Sequence, residues 1–180
     1  MDKIVLKHSR TRFRPVACLL LLIAAAKPVP AEPGNPMHVA DMAGRTHDIE
    51  EILEEGRAVA LIFWQTWCAS CKREAPEAAK AARKYGHAIR FFGVVSGSDE
   101  YVDDDKVRSF VEKVGLPYPQ VRDRELSITE YFQVKGTPTV IVLGKGMEIL
   151  YRGHRLPDDW TAFDLKTSSR VASGHASTGR

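Results

Sequence analysis

Trp67-Cys68-Ala69-Ser70-Cys71-Lys72-Arg73-Glu74-Ala75-Pro76 decides the fold of this 180-residue chain. Ahead of it, Ala58-Val59-Ala60-Leu61-Ile62-Phe63-Trp64 is an unbroken apolar run, the pattern of a buried strand. From Ala69 to Lys84 the chain is rich in alanine and reads as a helix. The two cysteines therefore stand where a strand hands over to a helix, Cys68 at the helix N-terminus and Cys71 one turn in. The first turn of a helix has unpaired N–H groups and the positive end of the helix dipole, and both favour a thiolate on Cys68. A thiolate with a second thiol beside it is a redox site. The other reading of Cys-x-x-Cys is half of a zinc site. Zinc needs two more ligands, yet His87 is the nearest histidine and no His-x3–5-His pair occurs.

Composition bounds the rest. The chain is 44% hydrophobic, enough for one domain with a real core. Its formal charge of +3 is misleading, because residues 1–31 hold six basic side chains (Lys3, Lys7, Arg10, Arg12, Arg14, Lys27) against Asp2 alone. The remainder is slightly acidic, so the sequence gives no reason to expect nucleic acid as a partner. The basic segment ends at Arg14 and is followed by the apolar run Val16 to Ala26, the layout of an export signal, with Val29 and Ala31 suited to cleavage after Ala31. The run is shorter than the roughly 20 residues that span a bilayer. The alternative is an uncleaved anchor, the one case in which the chain meets a membrane. Cys18 precedes the leucine run instead of following it, against lipidation there, and no twin arginine flanks the core. With Cys18 in the leader, Cys68 and Cys71 are the thiols of the exported chain. Outside the cytoplasm, a pair this close restrains the unfolded chain little, so its use is chemical.

The rest of the chain has a readable order. Residues 32–37 end a proline-rich linker, 38–163 form one domain, and 164–180 are polar and expected to be disordered. Residues 37–41 and 45–47 flank a turn at Met42-Ala43-Gly44, a small hairpin. Asp48 and Glu51 have capping-box spacing for a short helix ending at Gly56. Gly86 suits the end of the cysteine-bearing helix, and Ile89 to Val95 is a second core strand, parallel to the first through a right-handed crossover. Asp105 is expected to cap a helix with Val107, Phe110, Val111 and Val114 on one face, stopped by Gly115. A short strand at 120–123, a weaker helix at 125–132, a hairpin of 139–143 and 147–151 about Gly144-Lys145-Gly146, and a last helix at 157–163 complete the domain.

This order, with Cys68-Ala69-Ser70-Cys71 and Gly136-Thr137-Pro138 just before the hairpin, resembles the thioredoxin-like fold. That is an α/β architecture with a central mixed sheet flanked by helices. The extra helix after the second core strand and the Cys71-Lys72-Arg73-Glu74-Ala75-Pro76 continuation narrow the resemblance to exported TlpA/ResA-type thiol–disulfide oxidoreductases. It covers residues 38 to about 163. The resemblance implies that Cys68 is the nucleophile and the more exposed of the pair, and that Cys71 resolves the mixed disulfide. It implies that Pro138 is the cis-proline facing the cysteines, with the extended backbone of Thr137 and the aromatic Trp67 contacting substrate. It implies that Glu74 assists proton transfer. Minimal thioredoxins carry a buried Asp six residues before the first cysteine; here that position is Ile62, which leaves Glu74 as the proton carrier. Trp64 is either part of the aromatic flank or core.

Other residues are read more plainly. Tyr118, Tyr131 and Phe132 are packing residues, and His38, His47 and His154 have surface or packing roles. Asp103-Asp104-Asp105 is a solvated helix start without EF-hand spacing.

The function this implies is reduction of disulfides in exported client proteins, of the cytochrome c maturation type or a related one, with a membrane thiol transporter as electron donor. No cofactor or metal is called for. The alternatives are a disulfide oxidant or isomerase, a copper(I) metallochaperone using both thiolates, and a redox-silent binding module. Ala69-Ser70 does not fix the direction of electron flow.

Overall fold

The structure is a computed structural model and describes residues 37–165. The expected leader, its cleavage site, nearly all of the linker and the polar tail beyond 165 lie outside the described residues. No helix among the described residues is long and apolar enough to cross a membrane.

The hairpin of β1 (His38–Ala40) and β2 (Thr46–Asp48) leads into α1 (Ile49–Glu54). Asp48 is the N-cap, and its Oδ1 accepts the Glu51 N–H. Asp41 organises the hairpin turn. Its buried carboxylate accepts from the Ala43 and Arg45 backbone N–H groups, the Arg45 guanidinium and the His47 ring. Burial pushes its pKa up, but these hydrogen bonds outweigh burial and hold it below the ordinary carboxylate value. Because the folded pKa lies below the unfolded one, the stabilisation is fully present above the ordinary carboxylate range and is lost as pH falls through the folded value. Asp41→Asn is therefore expected to flatten the acid limb of a urea-unfolding series below about pH 4. At neutral pH it should cost about 1–3 kcal/mol.

Strand β3 (Ala58–Phe63) is the centre of the domain and is buried along its whole length. Ala58, Ala60 and Ile62 face α2 (Ala69–Tyr85), while Val59, Leu61 and Phe63 pack on the other side with α1 residues Ile49 and Leu53. The period of two is kept although both faces are covered. Helix α2 presents Cys71, Ala75, Ala78 and Ala82 to the sheet, and these small side chains let it lie close to the strand. The helix takes Pro76 in its interior, which removes one N–H donor from the ladder.

Strand β4 (Ile89–Ser96) pairs in parallel with β3, completing the expected crossover unit. A second crossover runs through α3 (Asp104–Val114) to β5 (Gln120–Asp123), parallel to β4 at the sheet edge. The inserted helix starts two positions earlier than expected. Asp103, not Asp105, is the N-cap, because its Oδ1 takes the N–H groups of both Asp105 and Lys106. Gly115 ends it in the left-handed conformation, φ 67°. Helix α4 (Ser127–Tyr131) is shorter than the expected 125–132. Buried Asp123 accepts the Ile128 and Thr129 N–H groups and so sets where it begins, while Leu126 turns left-handed ahead of it.

Strands β6 (Thr139–Leu143) and β7 (Ile149–Gly153) close the sheet antiparallel, giving the order β5-β4-β3-β6-β7. Their connection is a 3-10 turn at Lys145–Met147, so β7 starts two residues later than the expected 147. The expected helix at 157–163 is reduced to a 3-10 turn, Thr161–Phe163, because Asp159 bonds the Thr161 N–H and hydroxyl locally. Trp160 and Phe163 still pack against the α2 side of the core.

Candidate functional site

The last rung between the two central antiparallel strands pairs Phe63 with Thr139. The chain leaves β3 through Trp64 to Cys68 and enters β6 through Thr137-Pro138, so the two segments meet at one end of the sheet. Sheet register thereby brings together residues some seventy positions apart in sequence. The Thr137–Pro138 bond is cis.

Cys68 and Cys71 are joined by a disulfide, S–S 2.06 Å. Cys68 is the N-cap of α2, and the Cys71 backbone N–H points at its Sγ, 3.1 Å away. That amide is one of the orphan donors at a helix start, aimed at the sulfur that carries charge once the bond is reduced. In this oxidised form Cys68 is only marginally the more exposed of the pair. The two are 6% and 5% exposed, because both pack with Trp64, Val95, Val102 and Val107.

Trp64 is a buried core residue that also packs against the cysteines. Its indole N–H donates to Gln120 Oε1, and the Gln120 amide donates in turn to the Tyr118 carbonyl. Gly93 is required beneath this pair, since a Cβ there would overlap the Gln120 side chain. Trp67 points the other way and is 71% exposed.

Cys71, Glu74, Ile62 and Pro138 line one narrow cavity of about 20 Å³, together with Trp64 and Tyr118. A space of this size has room for a single water. Apolar Ile62 contributes no proton acceptor to it, so Glu74 is the carboxylate on this cavity. Glu74 is fixed by a contact the sequence reading missed: the Leu156 N–H donates to its Oε2 at 3.2 Å from the loop after β7. Burial in the same wall pushes the Tyr118 phenol well above its ordinary pKa and keeps it neutral. His154 is also more than a surface residue. Its Nδ1 lies 3.0 Å from the Pro138 carbonyl oxygen and 3.3 Å from Thr139 Oγ1, on the loop opposite the cysteines. Thr137 Oγ1 is buried with no hydrogen-bond partner.

Of the residues read as packing, Tyr118 and Phe132 are buried, whereas Tyr131 is largely exposed with its ring edge-on to Phe132. Asp104 is not merely solvated, since it accepts from the buried Arg122 guanidinium. Among the described residues no group of three or more His, Cys, Asp or Glu is arranged to hold a metal ion.

The family model described as AhpC/TSA matches residues 30–152 of the chain. A thioredoxin-like protein of Haemophilus influenzae is 29% identical over 71% of this chain and 72% of its own length. The thiol–disulfide oxidoreductase ResA of Halalkalibacterium halodurans is 30% identical over 61% of this chain and 60% of its own. The match thus spans about three-fifths of that ResA protein. Among solved structures, a secreted Mycobacterium tuberculosis disulfide oxidoreductase homologous to E. coli DsbE superposes with TM-score 0.56 at 24% identity. The superposition covers 76% of this chain and 94% of that one. StoA from Bacillus subtilis gives TM-score 0.56 at 21% identity over 67% and 90% of the two chains. At these identities the structural likeness is one of fold, and it agrees with the mixed sheet and flanking helices described above.

Proposed function

The chain belongs to the AhpC/TSA family, with a thioredoxin-like domain and a Cys-x-x-Cys pair of the ResA/DsbE type, and from that premise we propose that it is an exported reductant of client protein disulfides. The observation that carries the reading is the Cys68–Cys71 disulfide capping α2, with the Cys71 amide aimed at Cys68 Sγ. In the reduced protein the Cys68 thiolate attacks one sulfur of a client disulfide. A Cys68–client bond forms, the client S–S bond breaks, and the departing client sulfur takes a proton. Cys71, deprotonated, then attacks Cys68 Sγ and releases the second client thiol. The client gains two electrons and two protons, and the protein is left as the disulfide seen here.

Glu74, on the same cavity as Cys71, is the base that receives the Cys71 proton through the single water the cavity admits. Pro138 and Thr137 offer an extended wall for the client backbone, and Trp67 flanks the attack. The dithiol is regenerated by a membrane thiol transporter, and clients of the cytochrome c maturation type fit a reductase placed outside the cytoplasm. Export is supported by the basic-then-apolar pattern of residues 1–31.

The deciding experiment is the reduction potential of the Cys68–Cys71 pair. A value near about −270 mV, thioredoxin-like, supports a reductant, and one near about −120 mV overturns it in favour of an oxidant. Glu74→Gln should move the pH profile of exchange and slow the resolving step by roughly 10²-fold. An unchanged profile would leave Glu74 as a structural partner of Leu156.

A further inference from the structure

Trp67 and Tyr101 are 71% and 76% exposed, the two most exposed of the large hydrophobic side chains among the described residues. Both line one open cleft of about 590 Å³ beside the cysteine pair, with Phe110 of α3 in its wall and Lys72 and Lys106 among its charges. The loop that presents Tyr101 is firmly anchored. The Arg122 guanidinium, its side chain 2% exposed, donates to the Val95 and Gly97 carbonyls and to Asp99 and Asp104, while Arg124 pairs with the same two carboxylates. Val102, the next residue, is tucked in among Trp64 and the two cysteines. A bulky ring is therefore held in water on a fixed loop, next to the one place on the surface where a client must bring its disulfide.

We infer that this cleft is a specificity subsite for the client segment flanking the attacked cysteine. Tyr101 is its specificity-determining residue, and the favoured occupant is an apolar side chain a few positions from that cysteine. The inference rests on the exchange reading above. A polypeptide whose cysteine meets Cys68 extends about 3.3–3.6 Å per residue, so its flanking residues lie across the surface around the disulfide. On the cleft side they meet Trp67, which directly precedes Cys68, and then the Tyr101 ring. An apolar side chain between two aromatic rings removes apolar surface from water on both partners. Glutathione has no such side chain and gains nothing there.

The test uses the full-length chain, reduced beforehand, and three disulfides: glutathione disulfide and two decapeptide–glutathione mixed disulfides. The peptides differ only in having leucine or serine three positions from the cysteine. The expected result is a second-order rate constant for oxidation of the reduced protein about tenfold higher with the leucine peptide. The preference should collapse toward unity in Tyr101→Ala and survive in Tyr101→Phe, with glutathione disulfide reduced at the same rate by all three proteins. Equal rates on the two peptides, or a preference that persists in Tyr101→Ala, would overturn the inference while leaving the exchange reading intact. A dimer-to-monomer change on Tyr101→Ala in sedimentation would overturn it in favour of a second copy of this chain as occupant. Failure of the wild type to reduce glutathione disulfide would sink the exchange reading itself, and this inference with it.

Discussion

Cys71→Ser will halt the reduced protein at a covalent complex with its client, and Cys68→Ser will abolish exchange before any bond is made. The asymmetry follows from the start of α2. Cys68 is the N-cap, with the Cys71 amide directed at its sulfur, so a thiolate there accepts a hydrogen bond that the folded backbone already provides. Lowering a thiol from its ordinary pKa of roughly 8.5 to near 7 takes about 2 kcal/mol, within the reach of a helix terminus and one aimed amide. Cys71 sits inside the first turn against the cavity, placed to attack Cys68 and not a client. With Cys71 removed, the mixed disulfide has no neighbouring thiol in the active-site turn to resolve it. The check is a non-reducing gel and intact mass after mixing with an oxidised peptide. Cys71→Ser should give a stoichiometric adduct and Cys68→Ser none. Turnover that persists in Cys68→Ser would mean that the sulfur attacking the client is not Cys68.

Arg122→Met is the second large effect, and it falls on stability. Methionine replaces the aliphatic stem of the side chain but supplies none of its donors. The Val95 carbonyl loses a buried partner at the sheet edge, and Asp104 loses a cation that helps hold its carboxyl below the ordinary range. The expected cost is about 3 kcal/mol or more, which in a domain of this size lowers Tm by roughly 10 °C. Asp99 is 68% exposed at its side chain, so Asp99→Asn should change stability by less than about 1 kcal/mol. Thermal unfolding of the two variants beside the wild type separates the cases, and an Arg122→Met protein as stable as its parent would show the clasp to be energetically idle.

These two predictions also mark what the sequence makes legible. The cysteine pair is a local pattern: two thiols three positions apart at a strand-to-helix junction define their own geometry. The central strands, the crossover and the mixed sheet are legible for the same reason, since apolar runs and glycines act over a few residues. The Arg122 clasp is not, because an arginine bonding carbonyls and carboxylates 18 to 27 positions away leaves no periodic trace. The Leu156 amide on Glu74, 82 positions apart, is equally silent. Three successive aspartates at 103–105 each satisfy the rules for a cap, and only the folded backbone chooses Asp103. Tyr101 lies between exposed Glu100 and buried Val102, and the sequence alone does not say which of the two it follows.

The rung between Phe63 and Thr139 divides the molecule into two ends with different freedom to change. At the end beyond that rung lie the segments 64–68, 97–103, 137–138 and 154–156, which hold the disulfide, the Tyr101 loop, the cis-proline, and the contacts of His154 and Leu156. At the opposite end, where Ala58 pairs with Ile89 and Val59 with Leu143, the connections at 86–88 and 144–148 carry none of those groups. A fusion partner, reporter label or lengthened loop therefore belongs in the Lys145–Met147 turn. Adding one residue within β6 itself would turn every side chain on one side of the insertion to the other face of the sheet and pull the proline loop out of line with the cysteines.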